Sequence, residues 1–328
     1  MSRNFFVRTH GAIAAAVLDL GLAFGASAQG FPSRQMQILV PFPPGGPTDV
    51  MSRVLAEKMG AALNTTVVVD NRPGGAAQIA ISALKLQPAD GHTFLIGDMG
   101  ALAINQSLYA KLSYDTMKDL QPLALLLSGP MVLAVPAASP AKTVAEFLQY
   151  VNGKQGGGSY ASQGIGTGGH LVGELFRMRT NATLTHVPYK GGAPAGQDLV
   201  AGRVDMLFDV PFAFVAYIRD GRVRPIGVAA TQRAASLPNV PTLEEQGQPG
   251  ITMAAWFGAV TRTGTPPAIV SRLSEEILKA ARQPDVVKRF SDMGFDLPAV
   301  GAEGFGKHMA AEMQRWGDLI RASGIKAE

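Results

Sequence analysis

The chain has 328 residues, 47% apolar and 16% charged, a globular balance that excludes a disordered or low-complexity protein. The net charge is only +4 and basic residues are scattered, so no nucleic-acid stripe forms and no nucleic-acid partner is expected. The lack of any cysteine excludes disulfides, thiolate metal sites and a Cys nucleophile. Residues 1–28 read as a targeting segment: Arg3 and Arg8 give a positive start, an apolar stretch runs from Gly11 to Phe24, and Ala26-Ser27-Ala28 matches a small-residue cleavage pattern. Asp19 interrupts that stretch, which leaves a retained anchor or tail as the alternative to cleavage after Ala28 and export to the periplasm.

Beyond this segment the pattern alternates. Gln37 to Phe42 reads as a buried strand, Thr48 to Gly60 as a helix, and Thr66 to Asp70 as a β-branched strand. Ala76 to Leu86 reads as a helix and His92 to Gly97 as a third strand, which argues for a mostly parallel sheet covered by helices. Leu123 to Val135 is a long apolar stretch, broken by Ser128-Gly129-Pro130, that suits a crossing between lobes.

A second α/β series follows. It has helices at Thr143 to Val151, Gly168 to Arg179 and Ala193 to Ala201, and strands at Gly158 to Ala161, Ala182 to Val187, Val204 to Phe208 and Val223 to Ala229. The last third reads as helical: Pro267 to Arg282, Val286 to Met293 and Glu303 to Ile320, packing back on the first lobe. The expected fold is α/β, two lobes joined by two hinge crossings as a clamshell. Residues 29–127 and 229–328 form lobe 1, and 128–228 form lobe 2. A cleft between domains is a preferred ligand site.

Three strand-to-helix loops carry the candidate chemistry. In the first, Phe42-Pro43-Pro44-Gly45-Gly46-Pro47-Thr48-Asp49, Pro47 suits the first helical position. The amides of Thr48 and Asp49 then face out of a helix end that favours an anion. An ordinary turn fits the same residues equally well, and Asp49 can cap the helix instead of meeting a ligand. In the second loop Ser162 and Thr167 offer hydroxyls, Gly164 and its neighbouring glycines offer bare amides, and His170 follows. The plain alternative is a flexible turn with Thr167 as N-cap. In the third, Lys190 either neutralises a carboxylate or is a solvated surface charge, while Asp209 orients loops or accepts from a ligand hydroxyl.

Catalytic and cofactor signatures are missing. None of the five histidines has metal-ligand spacing, no Gly-x-Ser-x-Gly elbow occurs, and neither a P-loop nor a dinucleotide fingerprint is present. No metal, cofactor or catalytic residue is expected.

Taken in order, PFPPGGPTDV (41–50), VVVDNRPGGA (67–76), ADGHTFLIG (89–97), AINQSLYAKLSYD (103–115), YASQGIGTGGHLVGELF (160–176), HVPYKGGAPA (186–195), DMLFD (205–209), LPNVPTLEEQG (237–247) and WFGAVTRTGTP (256–266) resemble the Bug-type extracytoplasmic receptors of tripartite tricarboxylate transporters. The resemblance implies a type II periplasmic-binding-protein fold that closes on a small organic acid and hands it to membrane permease subunits, as a monomer and without chemistry. It also implies that the loops at Phe42 to Asp49 and Ser162 to His170 line the cleft, holding carboxylates by backbone amides and waters.

The chain departs from the pattern at three places. Asp98 stands where a small polar residue is usual, Ala101-Leu102 where Thr-His is usual, and Thr167-Gly168-Gly169 before the histidine. Asp98 near the cleft repels a second carboxylate or attracts an amine. The expected ligand is therefore a monocarboxylate or an acid with an apolar or cationic end. Presentation of ligand to a sensor kinase, or an α/β enzyme, are the alternatives.

Overall fold

The structure is a computed structural model and describes residues 30–326. The signal-segment expectation for residues 1–28 lies outside the described residues. Among those described, no helix is long and apolar enough to cross a membrane.

β1 (Met36–Val40) lies between β2 (Val67–Asn71) and β3 (Thr93–Asp98), parallel to both. β1 and β3 are apolar without alternation because helices cover both faces. The next strand, β4 (Leu120–Pro136), is 17 residues long and takes part in both halves of the molecule. In the second half β5 (Gly158–Ser162) is parallel to β6 (Leu184–Pro188) and to β7 (Met206–Asp209). β7 and β8 (Val223–Ala229) both pair with the far end of β4, antiparallel. β9 (Ala254–Arg262) returns to the first half, antiparallel to both β3 and β4. A two-residue β10 (Val300–Gly301) closes against Leu125 and Ala124.

Three expectations are corrected here. The stretch around Ser128-Gly129-Pro130 does not break: it is the middle of β4. Ser128 exchanges backbone hydrogen bonds with Asp296 (2.9 and 2.7 Å), which keeps the ladder intact. Gly129 is needed there because a Cβ would lie 3.0 Å from the Phe295 ring. The sheet is mixed and not mostly parallel, because β9 inserts antiparallel between β3 and β4. The last third also contains that strand. AAWFGAVTR is buried on both faces, so it lacks the two-residue alternation that marks a half-exposed strand.

The chain crosses between halves along β4 and again between Ala229 and Ala254. There the Met253 amide bonds the Ala229 carbonyl (2.8 Å) and the Met131 amide bonds the Met253 carbonyl (3.0 Å). The C-terminal helices pack on the first half, as expected. The hydroxyl of Ser274, in the Pro267–Ala281 helix, donates to the Leu123 carbonyl (2.8 Å). In the Ala302–Ser323 helix, Glu312 Oε2 accepts from both Trp256 Nε1 (3.1 Å) and Trp316 Nε1 (2.8 Å), tying the helix to β9. Both indoles are buried, so these bonds satisfy donors that would otherwise be costly. The architecture is two α/β halves joined by two crossings.

Candidate functional site

Both Gly-rich turns end strands and start helices, and each leaves first-turn amides open. The helix Pro47–Leu63 has Gly46 as N-cap, extended at φ −79° and ψ 172°, and no side chain caps it. Asp49, the natural candidate for that cap, is turned aside. Its Oδ2 accepts from the Gly45 amide and from Arg53 Nε, both at 3.0 Å. Its Oδ1 accepts from Arg53 Nη2 and Asn71 Nδ2, again at 3.0 Å. Asn71 Nδ2 also donates to the Phe42 carbonyl (3.0 Å), pinning the far side of the turn. Burial pushes the Asp49 carboxyl up, but Arg53, the Gly45 amide and Asn71 outweigh it and hold it below the usual range.

The outcome is a braced turn. Pro44 and Gly45 are exposed at its tip, Phe42 and Gly46 are partly buried, and Thr48 and Asp49 are buried. The amides of Thr48 and Asp49 have no hydrogen-bond partner among the described residues. Gly45 has φ +98°, which only glycine adopts readily.

The helix Gly168–Thr180 follows the same plan. Thr167 is its N-cap, but its hydroxyl donates back to the Gly164 carbonyl (2.7 Å) and to Gln163 Oε1 (3.2 Å). The amides of Gly168, Gly169 and His170 are left without partners among the described residues. The buried Ser162 hydroxyl donates to the Gly164 carbonyl (3.1 Å) and sits 2.7 Å from His186 Nε2. His170 Nδ1 accepts from the Gly166 amide (3.1 Å), which fixes it as a neutral imidazole in this arrangement.

Lys190 and Asp209 flank this turn. The Tyr189 amide bonds the Ser162 carbonyl and the Gly191 amide bonds the Gln163 carbonyl, both at 3.0 Å, so the third loop is zipped to the second. Lys190 there is exposed and enters no ion pair among the described residues. Asp209, at the end of β7, is buried. Its Oδ1 accepts from the Val210 amide (2.8 Å), and Oδ2 lies 3.1 Å from where a Cβ of Gly192 would stand. Burial pushes its carboxyl up to about 6, against the lowering effect of Gln163 and the Val210 amide.

The opposing half supplies the segment after β3. Asp98 Oδ1 accepts from the amide of buried Ala101 (3.0 Å), turning the chain into a short π-helical stretch, Gly100–Ile104. A Cβ on Gly100 would lie 3.2 Å from Asp98 Oδ2 and 3.4 Å from the Gly166 carbonyl. A Cβ on Gly166 would collide with Leu108, and one on Gly168 would meet the sulfurs of Met99 and Met253 within 3.4 Å. The second turn therefore sits directly on the first half of the molecule.

The structure thus joins Ser162, Gly164, Thr167, His170, Lys190 and Asp209 in one cluster and brings Asp98 and Ala101 up to it. Among the described residues, the turn from Phe42 to Asp49 makes its bonds within its own half, to Val50, Ser52, Arg53 and Asn71. Sequence reasoning missed those two supports, as well as Gln163, whose amide donates to the Phe208 carbonyl (3.0 Å). It also missed the layer beneath the second turn. The His186 ring stacks on His170 (centroids 4.0 Å apart) and on Tyr160 (4.8 Å), while Glu174 pairs with Tyr160 and Arg177.

Comparison with known proteins agrees with this architecture. Residues 51–325 match the model of the tripartite tricarboxylate transporter family receptor. The Bordetella pertussis protein BugT is 33% identical over 311 residues, covering 94% of this chain and 95% of BugT. The R. palustris protein Rpa4515, solved with adipate, superposes with TM-score 0.86 at 32% identity, over 90% of this chain and 99% of that one. MatC from Rhodopseudomonas palustris, solved with bound malate, gives 0.82 at 32% identity, over 88% and 100%. The chain belongs to the tripartite tricarboxylate transporter receptor family, among the Bug-type solute-binding proteins.

Proposed function

We propose that this chain is an exported solute-binding protein that traps a small carboxylate-bearing acid and delivers it to the permease subunits of a tripartite tricarboxylate-type transporter. The observation that carries the reading is the pair of helix N-termini with open amides. In each, the side chain that would normally cap the helix, Asp49 or Thr167, is bonded elsewhere. Open N–H groups at the positive end of a helix dipole suit an anion. The adipate and malate bound by two solved relatives are anions of this class. The protein acts as a monomer in the periplasm, after cleavage following Ala28, and performs no chemistry on its ligand.

In this reading the lobes are residues 29–127 with 229–328, and residues 128–228. They close about β4 and the return at Ala229 to Ala254. A ligand favours closure only by contacting both lobes, which the two turns allow. A thermal-shift screen of organic acids on the purified protein tests the reading, since a ligand bound only by the folded state raises Tm. At least one mono- or dicarboxylate is expected to raise it. A screen in which sugars and polyamines shift Tm and no carboxylate does would reject the proposal.

A further inference from the structure

The contact between the two halves carries a carboxyl group of its own, which burial pushes above the usual range. Asp98 ends β3 where the second Gly-rich turn rests on the first half, with the Gly166 carbonyl and the Asp98 carboxylate both within 3.4 Å of one methyl-sized position on Gly100. Asp98 keeps partial solvent exposure. Its partners are backbone amides, chiefly that of Ala101, and it enters no ion pair among the described residues. The nearby phenol of Tyr114 is spent on the Ala101 carbonyl (2.6 Å), and buried Asn105 gives its amide to Tyr114 (3.1 Å) and to the Ala76 carbonyl (2.8 Å). No cation among the described residues compensates the carboxyl, and the Gly166 carbonyl beside it is a second acceptor.

We propose that Asp98 selects the far end of the ligand. The acid held by the open amides carries a hydrogen-bond donor, best an ammonium, that meets Asp98 and the Gly166 carbonyl. This inference rests on the carboxylate-binding reading and narrows it. A second carboxylate at this end meets two acceptors and no donor side chain. An ammonium pairs with the carboxyl and, as a nearby opposite charge, draws it into its ionised form. An apolar end meets the same two acceptors and leaves them unpaired, which penalises it less than a charge does.

The test is calorimetric titration of the purified protein, wild type and Asp98→Asn, with matched acids: caproate, adipate and ε-aminocaproate, then butyrate, succinate and γ-aminobutyrate. Asn retains an acceptor for the Ala101 amide, so the local turn is expected to persist. In the wild type the amino acid of at least one length should bind about tenfold or more tighter than the diacid, and D98N should erase that preference. A diacid that binds tightest to the wild type overturns the selection by Asp98 and leaves the carboxylate reading standing. The same holds if the amino acids lead but D98N keeps their full advantage. If none of these acids nor any other carboxylate binds, both proposals fall. Should D98N not fold, the wild-type ranking alone decides.

Discussion

The rings of His170 and His186 stack face to face, 4.0 Å between centroids and 9° from parallel, directly beneath the second Gly-rich turn. Tyr160 also stacks on His186, and Glu174, itself paired with Arg177, is the charged group that acts on both histidines. Burial pushes both imidazoles down, and His186, further disfavoured by its stacked neighbour and partly relieved by Glu174, reaches about 4. In the folded state His186 thus resists a proton that the unfolded chain accepts near 6.5. Its contribution to stability is complete above 6.5 and is lost as pH falls from there toward about 4. The loss should be on the order of 2 kcal/mol. Melting curves across that window should show His186→Gln with a shallower decline than the wild type. Parallel declines would mean that other groups govern the acid limb.

Asp209 runs the other way. It is an acid whose folded-state value is raised from 3.8 to about 6, so folding favours its proton and stability is lost as pH rises between those values. Asp209→Asn keeps an acceptor for the Val210 amide. It should stabilise the ligand-free protein by about 1–3 kcal/mol at neutral pH and by much less below pH about 4. Urea midpoints at the two pH values check this, and an equal shift at both would remove the charge as the cause.

Gly46→Val is a clean probe of the first turn. The backbone there has φ −79°, and a Cβ would meet nothing within 4 Å, so the fold should tolerate the change. The added bulk would stand over the open amides of Thr48 and Asp49 and should weaken ligand binding about tenfold or more, through lost backbone hydrogen bonds. Titration with whichever acid the wild type binds reads the effect. Undiminished affinity would remove this turn from the site.

Gly166→Ala probes the contact between halves. The position has φ +81°, and a Cβ would strike Leu108 of the opposing segment. The positive φ adds backbone strain of roughly 1–3 kcal/mol to the turn itself, while the collision with Leu108 is relieved when the turn lifts off the first half. Small-angle scattering of the ligand-free variant should give a larger radius than the wild type, and an identical profile would show that the contact is not what holds the halves together.

Asp49→Ala separates support from contact. Removing the carboxylate leaves the Gly45 amide without its acceptor, Asn71 Nδ2 with the Phe42 carbonyl alone, and Arg53 with only Asn71 Oδ1. A loss of roughly 1–3 kcal/mol in stability should accompany weaker binding. Binding lost with stability unchanged would mean that Asp49 meets the ligand directly.

Much of the architecture was legible because strand, turn and helix punctuation is local. The first helix began within a residue of where Pro47 placed it, and the boundaries of β6 and β7 moved by about two. β9 escaped because a strand buried on both faces has no alternation, and its antiparallel place depends on the return crossing, which is a tertiary event. The 211–219 helix escaped for a related reason: PFAFVAYIR is apolar nearly all round. At the site, the glycines of both turns were readable from the chain alone. The bracing of Asp49 by Arg53 one turn away fits helical spacing, but its link to Asn71 joins residues 22 apart and had no local signal. Nor did the stacking of His170 on His186, which requires β6 to lie beside β5.

β4 has a mechanical consequence. It is one continuous ribbon shared by both halves, so the joint resists twisting while remaining able to bend. The bending is easiest near Gly129 and Pro130, where one residue has no side chain and the other no N–H to lose from the ladder. Such a joint gives the molecule essentially one soft coordinate. Any movement of one half against the other is then a bend about this point, in which each half keeps its own surface as a rigid face.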